Sequence, residues 1–202
     1  MAKRPLLVGV AGPTNSGKST LEAGLVGVFG DELSTVSFDD LFVGLAALPG
    51  RTTDNWEHPN LYRWDAYRRL MATLAAGKEA RFEPHSYEAK RDGITERVIE
   101  PRPVVVVLGF LALHDAEVNT LFDVTAYIDL KPEEMIRRRL ARAAGRPAAV
   151  WNEPDYIYGM LVPATREFVD PQRDVADCIV DGAASPGEVL HEVVAAIRQH
   201  LS

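Results

Sequence analysis

Residues 12–19 read Gly-Pro-Thr-Asn-Ser-Gly-Lys-Ser, a complete G-x-x-x-x-G-K-[ST] pattern, and no other stretch limits the possible folds of this chain so tightly. The pattern works as a turn between a buried strand and a helix. Its glycines let the backbone fold around phosphate oxygens with N–H groups pointing inward, and the helix N-terminus adds positive field. The flanks meet that demand: Leu6–Ala11 is a short apolar run, and Leu21–Phe29 carries apolar residues at helical spacing. The chain therefore opens strand, phosphate loop, helix. In such a loop Lys18 holds the β and γ phosphates of a nucleotide and Ser19 ligates magnesium, with Gly12, Thr14, Asn15, Ser16, Gly17 and Thr20 supplying the remaining contacts.

Further strands are expected at Leu33–Phe38, which ends in Asp39-Asp40, at Val104–Leu108 and at Val124–Leu130. Helices are expected from about Leu61 to Ala76, over Pro132–Ala143, and from Pro186 onward, with Ser185 as N-cap and Glu188 completing a capping box. Strands alternating with helices imply a mostly parallel sheet covered on both faces, a three-layer α/β sandwich of the P-loop NTPase kind whose ligands lie beyond the carboxyl ends of the strands. A chain of 202 residues suits one such domain, with residues 40–103 as a substrate-side lobe. Within the lobe, Arg81–Pro103 is a polar stretch.

A net charge of −7 argues against a general nucleic-acid surface. The longest apolar run, Val104–Leu113, is too short to span a bilayer, and the N-terminal apolar run passes straight into the phosphate loop as a strand rather than a signal peptide. One cysteine, Cys178, excludes an internal disulfide and points to a reducing, cytoplasmic setting. Against the acidic total, Lys131–Arg146 holds six basic residues and two carboxylates. Arg139, Arg142 and, if the helix runs on past Ala143, Arg146 share one helical face there, suited to the charge on phosphate oxygens; a solvated basic face is the plainer reading of such a run.

Five marks in order along the chain resemble the uridine kinase group, which includes nicotinamide riboside kinases and phosphoribulokinases. They are Ser37-Phe38-Asp39-Asp40-Leu41-Phe42, Asn55-Trp56-Glu57-His58-Pro59, Gly109-Phe110-Leu111, the arginines 137–139 with Arg142, and Val162-Pro163 through Ala176-Asp177. The resemblance implies an ATP- and magnesium-dependent kinase that phosphorylates the primary hydroxyl of a ribonucleoside or similar ribose-bearing small molecule. It matches Asp39 to the family's catalytic aspartate, which also helps Ser19 hold magnesium, and places Glu57 where an aspartate binds ribose hydroxyls. Tyr87 falls near a base-stacking tyrosine, with Arg91 close behind. Each has a plainer reading: loop solvation or a helix cap for Asp39 and Asp40, an exposed loop carboxylate for Glu57, core packing for Tyr87, Trp56 and His58, and surface ion pairs for Arg137 and Arg138.

The resemblance makes the arginine-bearing segment, about 132–155, a lid over the acceptor-side lobe of 40–103. The chain departs from the family pattern at Leu108, where related kinases usually carry a glutamate before the glycine, and in the shortness of that segment. The first departure leaves open a nucleotide-binding relative without turnover, acting as a sensor or regulatory protein. A nicotinamide riboside kinase-type enzyme is the other alternative.

Overall fold

The computed structural model describes residues 4–43, 56–144 and 152–201. Strand β1 (Leu6–Ala11) leads through the phosphate loop into α1 (Lys18–Phe29), which ends at Gly30 and returns as β2 (Leu33–Ser37). After α2 (Trp64–Ala75) come β3 (Ala80–Phe82), α3 (Tyr87–Arg91), β4 (Arg97–Ile99), β5 (Val104–Leu108), α4 (Ala116–Asn119) and β6 (Val124–Asp129). Helix α5 (Pro132–Ala143) follows. The helical turns α6 (Pro154–Tyr156) and α7 (Val162–Ala164) alternate with π-turns at Ile157–Leu161 and Thr165–Val169, and a 3-10 turn, Asp170–Val175, ends that segment. Strand β7 (Cys178–Asp181) and α8 (Pro186–Leu201) close the chain.

Five strands form one parallel sheet in the order β2-β5-β1-β6-β7. Because successive side chains alternate faces, the valine run of β5 serves both layers. Val105 and Val107 pack with Leu7, Val36, Phe38 and the α2 residues Tyr67, Leu70, Met71 and Leu74. Val104, Val106 and Leu108 pack with Val8, Val10, Leu21 and Leu25, and with Val189, Val193 and Ile197 of α8. The expected capping box forms: the Ser185 N–H donates to Glu188 Oε2 at 2.9 Å and the Glu188 N–H to Ser185 Oγ at 3.3 Å. Among the described residues no helix is long and apolar enough to cross a membrane.

The expected second strand stops one residue early, since Phe38 begins a 3-10 turn over Phe38–Leu41. Helix α2 likewise starts at Trp64 rather than Leu61, because Pro59–Leu61 forms its own 3-10 turn. Arg81–Pro103 is not featureless: β3 and β4 pair antiparallel through Ala80–Ile99, Arg81–Val98 and Phe82–Arg97, with α3 between them. Strands of three residues are too short for alternation to register in sequence.

Candidate functional site

The site grows out of the carboxyl ends of β1, β2 and β5, which lie side by side. Where β1 ends, Gly12 has φ of +152°, and a Cβ there would stand 2.7 Å from the Ile128 carbonyl oxygen, so only glycine fits. Asn15 takes a left-handed φ of 59°, a conformation asparagine tolerates better than most residues. Helix α1 then begins with neither a side-chain cap nor an acidic residue in its first turn, which leaves its positive end to an anion. Lys18 curls back over this loop, its Nζ donating to the carbonyls of Gly12 at 2.7 Å and Pro13 at 2.8 Å. Burial pushes its pKa down to about 8, against the opposing pull of Asp39 and Glu57.

Above the loop lies a cleft of about 550 Å³. Thr14, Asn15, Gly17, Lys18, Ser19 and Thr20 form one side, with Arg138 and Arg142 of α5. Asp39 and Glu57 face them, and Phe42, Trp56, Tyr62 and Phe110 make an aromatic wall. Asp39 is brought here by the turn after β2, and that turn is packed tightly against the loop after β5: a Cβ on Gly109 would lie 2.2 Å from Phe38 Cβ. The Phe38 ring in turn sets the wall, stacking on Tyr62 at 4.8 Å and meeting Phe110 edge-on at 6.3 Å.

Asp39 opens to the cleft, yet the protein packed around it raises its pKa above the usual carboxylate range, with Lys18 opposing and Glu88 and Asp40 reinforcing. A carboxylate shifted upward is a better proton acceptor than an ordinary one. Burial likewise raises Glu57, against Arg139. The Arg139 guanidinium sits 5.9 Å from the centre of the Tyr156 ring, and burial beside Glu57 pushes that phenol upward.

Asp40, adjacent to Asp39, turns the other way. Its carboxylate accepts from Ser86 Oγ and, at 3.0 Å, from Arg97 Nε. Its carbonyl accepts from the His85 N–H at 2.8 Å and from Arg63 Nη2 at 3.0 Å. Asp40 therefore ties the β3–β4 hairpin and α3 to the turn that carries Asp39, and offers nothing to a metal in the cleft.

Among the other residues singled out from sequence, Gly12 and Ser16 are buried beneath the loop, and Arg146 lies outside the described residues. Arg142 lines the cleft, whereas Arg139 faces Tyr156 and Glu57. Arg138 takes the expected place of Arg139 at the cleft: it donates to the Gly182 carbonyl at 2.9 Å while pairing with Glu134 at 2.7 Å. Arg137 pairs with Glu134 on the surface. Tyr87 does not enter the cleft. Ser86 caps α3 by accepting from the Ala89 N–H and points inward to Asp40, so Tyr87, at the next position, stands 75% exposed. Arg91 pairs with Asp92 at the surface. His58 packs edge-on against Phe168, while Trp56 lines the cleft beside Phe42. Leu108 is buried on the α1 side of the sheet and sends no polar group to the site.

The cleft suits a nucleoside triphosphate with magnesium. Its cations and helix N-terminus gather on one side, and Ser19 and Asp39, which both line it, could offer magnesium the hard oxygen ligands it prefers.

Comparison with known proteins gives a consistent picture. The model of the phosphoribulokinase/uridine kinase family matches residues 7–185. A uridine kinase of Geobacillus kaustophilus is 28% identical over 207 residues, covering 98% of this chain and 96% of that protein. One from Halobacterium salinarum is 27% identical over 181 residues, covering 88% and 80%. Among solved structures, phosphoribulokinase from Rhodobacter spheroides superposes with a TM-score of 0.64 at 14% identity, covering 92% of this chain and 74% of that one, a likeness of fold.

Proposed function

The chain belongs to the phosphoribulokinase/uridine kinase family, and from that premise we propose that it transfers the γ-phosphoryl group of ATP to the primary hydroxyl of a ribonucleoside. One observation carries this reading: Asp39 and the aromatic wall share a single cleft with Lys18, Ser19 and Arg142. The phosphate side neutralises charge, the far side presents a proton acceptor, and the rings cover a flat base.

In this reading the phosphate loop and α1 hold the triphosphate, and Lys18 leaves the Gly12 and Pro13 carbonyls for phosphate oxygens. Asp39 accepts a hydrogen bond from the acceptor hydroxyl, aims it at the γ-phosphorus and takes its proton as the new O–P bond forms and the bond from the γ-phosphorus to the β–γ bridging oxygen breaks, with ADP leaving. Glu57 accepts from the vicinal ribose hydroxyls. Arg138 and Arg142 oppose the charge that spreads over the transferring oxygens. Ser19 and Asp39 would hold magnesium, which would supply further charge neutralisation when bound. Leu108 stands where the resemblance puts a glutamate that serves the metal or substrate, and this would leave magnesium to Ser19 and Asp39. The curated relatives named above are kinases and lend nothing to a non-catalytic reading.

The test is ADP release with Mg-ATP, alone and with uridine, cytidine, nicotinamide riboside, ribulose 5-phosphate or pantothenate added singly. Stimulation by a nucleoside is expected. Binding of ATP without stimulation by any acceptor would defeat the proposal.

A further inference from the structure

Gln172 lies in the 3-10 turn Asp170–Val175, far along the chain from every residue of the cleft, and is 2% exposed. Its side chain crosses to the loop that leaves β5. Oε1 accepts from the Leu113 N–H at 2.8 Å, and Nε2 donates to the Phe110 carbonyl at 2.6 Å. The same Nε2 stands 3.3 and 3.2 Å from the carbonyls of Phe168 and Val169, so the primary amide is fully engaged. Both ends of the turn 110–113 are thereby fixed to one buried group.

What that turn carries is the cleft wall. The Phe110 ring lines the cleft and meets Tyr62 edge-on at 5.4 Å as well as Phe38. The segment carrying Gln172 is braced elsewhere, because Tyr156, Ile157, Leu161 and Val162 pack on Met135 of α5. An apolar residue at 172 would fill the same space but would leave the Leu113 N–H and Phe110 carbonyl buried without their partner. The amide is therefore specific for the shape of the turn and adds to what packing alone would supply.

We infer that Gln172 is a positioning residue for the acceptor: by clamping residues 110–113 it fixes the Phe110 ring against the bound base and so sets acceptor affinity, without touching substrate. The inference rests on the kinase reading for its substrate. ATP affinity is not expected to depend on it, since the phosphate loop shares none of these bonds.

The experiment compares steady-state constants for uridine and Mg-ATP in wild type, Gln172→Met, Phe110→Ala and the double variant. Gln172→Met keeps the volume and removes the bonds, and is expected to raise KM for uridine about five- to tenfold while KM for ATP stays within about twofold. In the Phe110→Ala background the same substitution is expected to change KM for uridine less than about twofold, because the ring it positions is gone. An unchanged KM for uridine in folded Gln172→Met, or an equal rise in both backgrounds, would overturn the inference. If Gln172→Met does not fold, Gln172→Glu is read in the same way, since it keeps the acceptor for Leu113 and sets an oxygen against the Phe110 carbonyl. A wild type inert toward every acceptor would sink the kinase reading instead. The clamp is then judged by amide exchange at Leu111–Leu113, which accelerates in Gln172→Met if it exists and is unchanged if it does not.

Discussion

Replacing Arg97 with methionine isolates the tie between the β3–β4 hairpin and the turn that carries Asp39. The Asp40 side chain is 5% exposed and keeps two partners, Ser86 Oγ and Arg97 Nε at 3.0 Å. Removing the cationic partner of a buried carboxylate costs about 3–5 kcal/mol when the pair is dry. Arg97 is itself 37% exposed, so water already screens part of the attraction, and Ser86 remains; the expected loss is about 2–3 kcal/mol. For a chain of this size each kcal/mol lowers Tm by about 2–4 °C, giving a fall of about 4–12 °C by calorimetry. Adding Asp40→Asn to Arg97→Met is expected to recover part of that loss, because no charge is then left without its partner. A Tm within roughly 2 °C of wild type for Arg97→Met would refute the reasoning and reduce the pair to surface decoration.

Asp39→Asn is expected to cut kcat about 10²–10⁴-fold with little change in ATP binding, measured by steady-state kinetics and ATP titration. Lys18 carries its charge below about pH 8, so affinity for ATP is expected to hold to that point and fall as pH rises beyond it. Calorimetric titration would show the fall, and Lys18→Met would remove it. The unfolded chain holds that extra proton between pH 8 and 10.5, so the ligand-free protein gains stability as pH climbs through this window, by chemical denaturation. Ser185→Ala removes half of the capping box and is expected to cost about 1 kcal/mol, a drop of about 2–4 °C in Tm with kinetics unchanged.

The phosphate loop and the parallel sheet were legible because both rest on local chemistry. A glycine-rich turn must sit between a strand and a helix, and a run such as Val104–Leu108 must be buried on both faces. The partners of Asp40 were not legible, since Ser86 and Arg97 lie 46 and 57 residues away and nothing in their own surroundings marks them. The arginine helix was legible in kind but not in detail. Arg138 and Arg139 both stand beside Arg142 on a helix, four and three residues before it, so spacing does not choose between them, and in the folded chain Arg138 lines the cleft while Arg139 lies over Tyr156. Tyr87 misled for a related reason, because Ser86 took both the cap and the inward position. Phe110 stood in a recognised motif, but its place on the wall depends on the turn that Gln172 holds.

The central claim is that one cleft joins a phosphate donor to a primary alcohol, and ³¹P NMR of the protein with Mg-ATP and uridine tests it most directly. The account predicts a phosphomonoester signal growing in step with ADP, and none when 5′-deoxyuridine replaces uridine. ADP accompanied only by inorganic phosphate, or ester formation that persists with 5′-deoxyuridine, would contradict it.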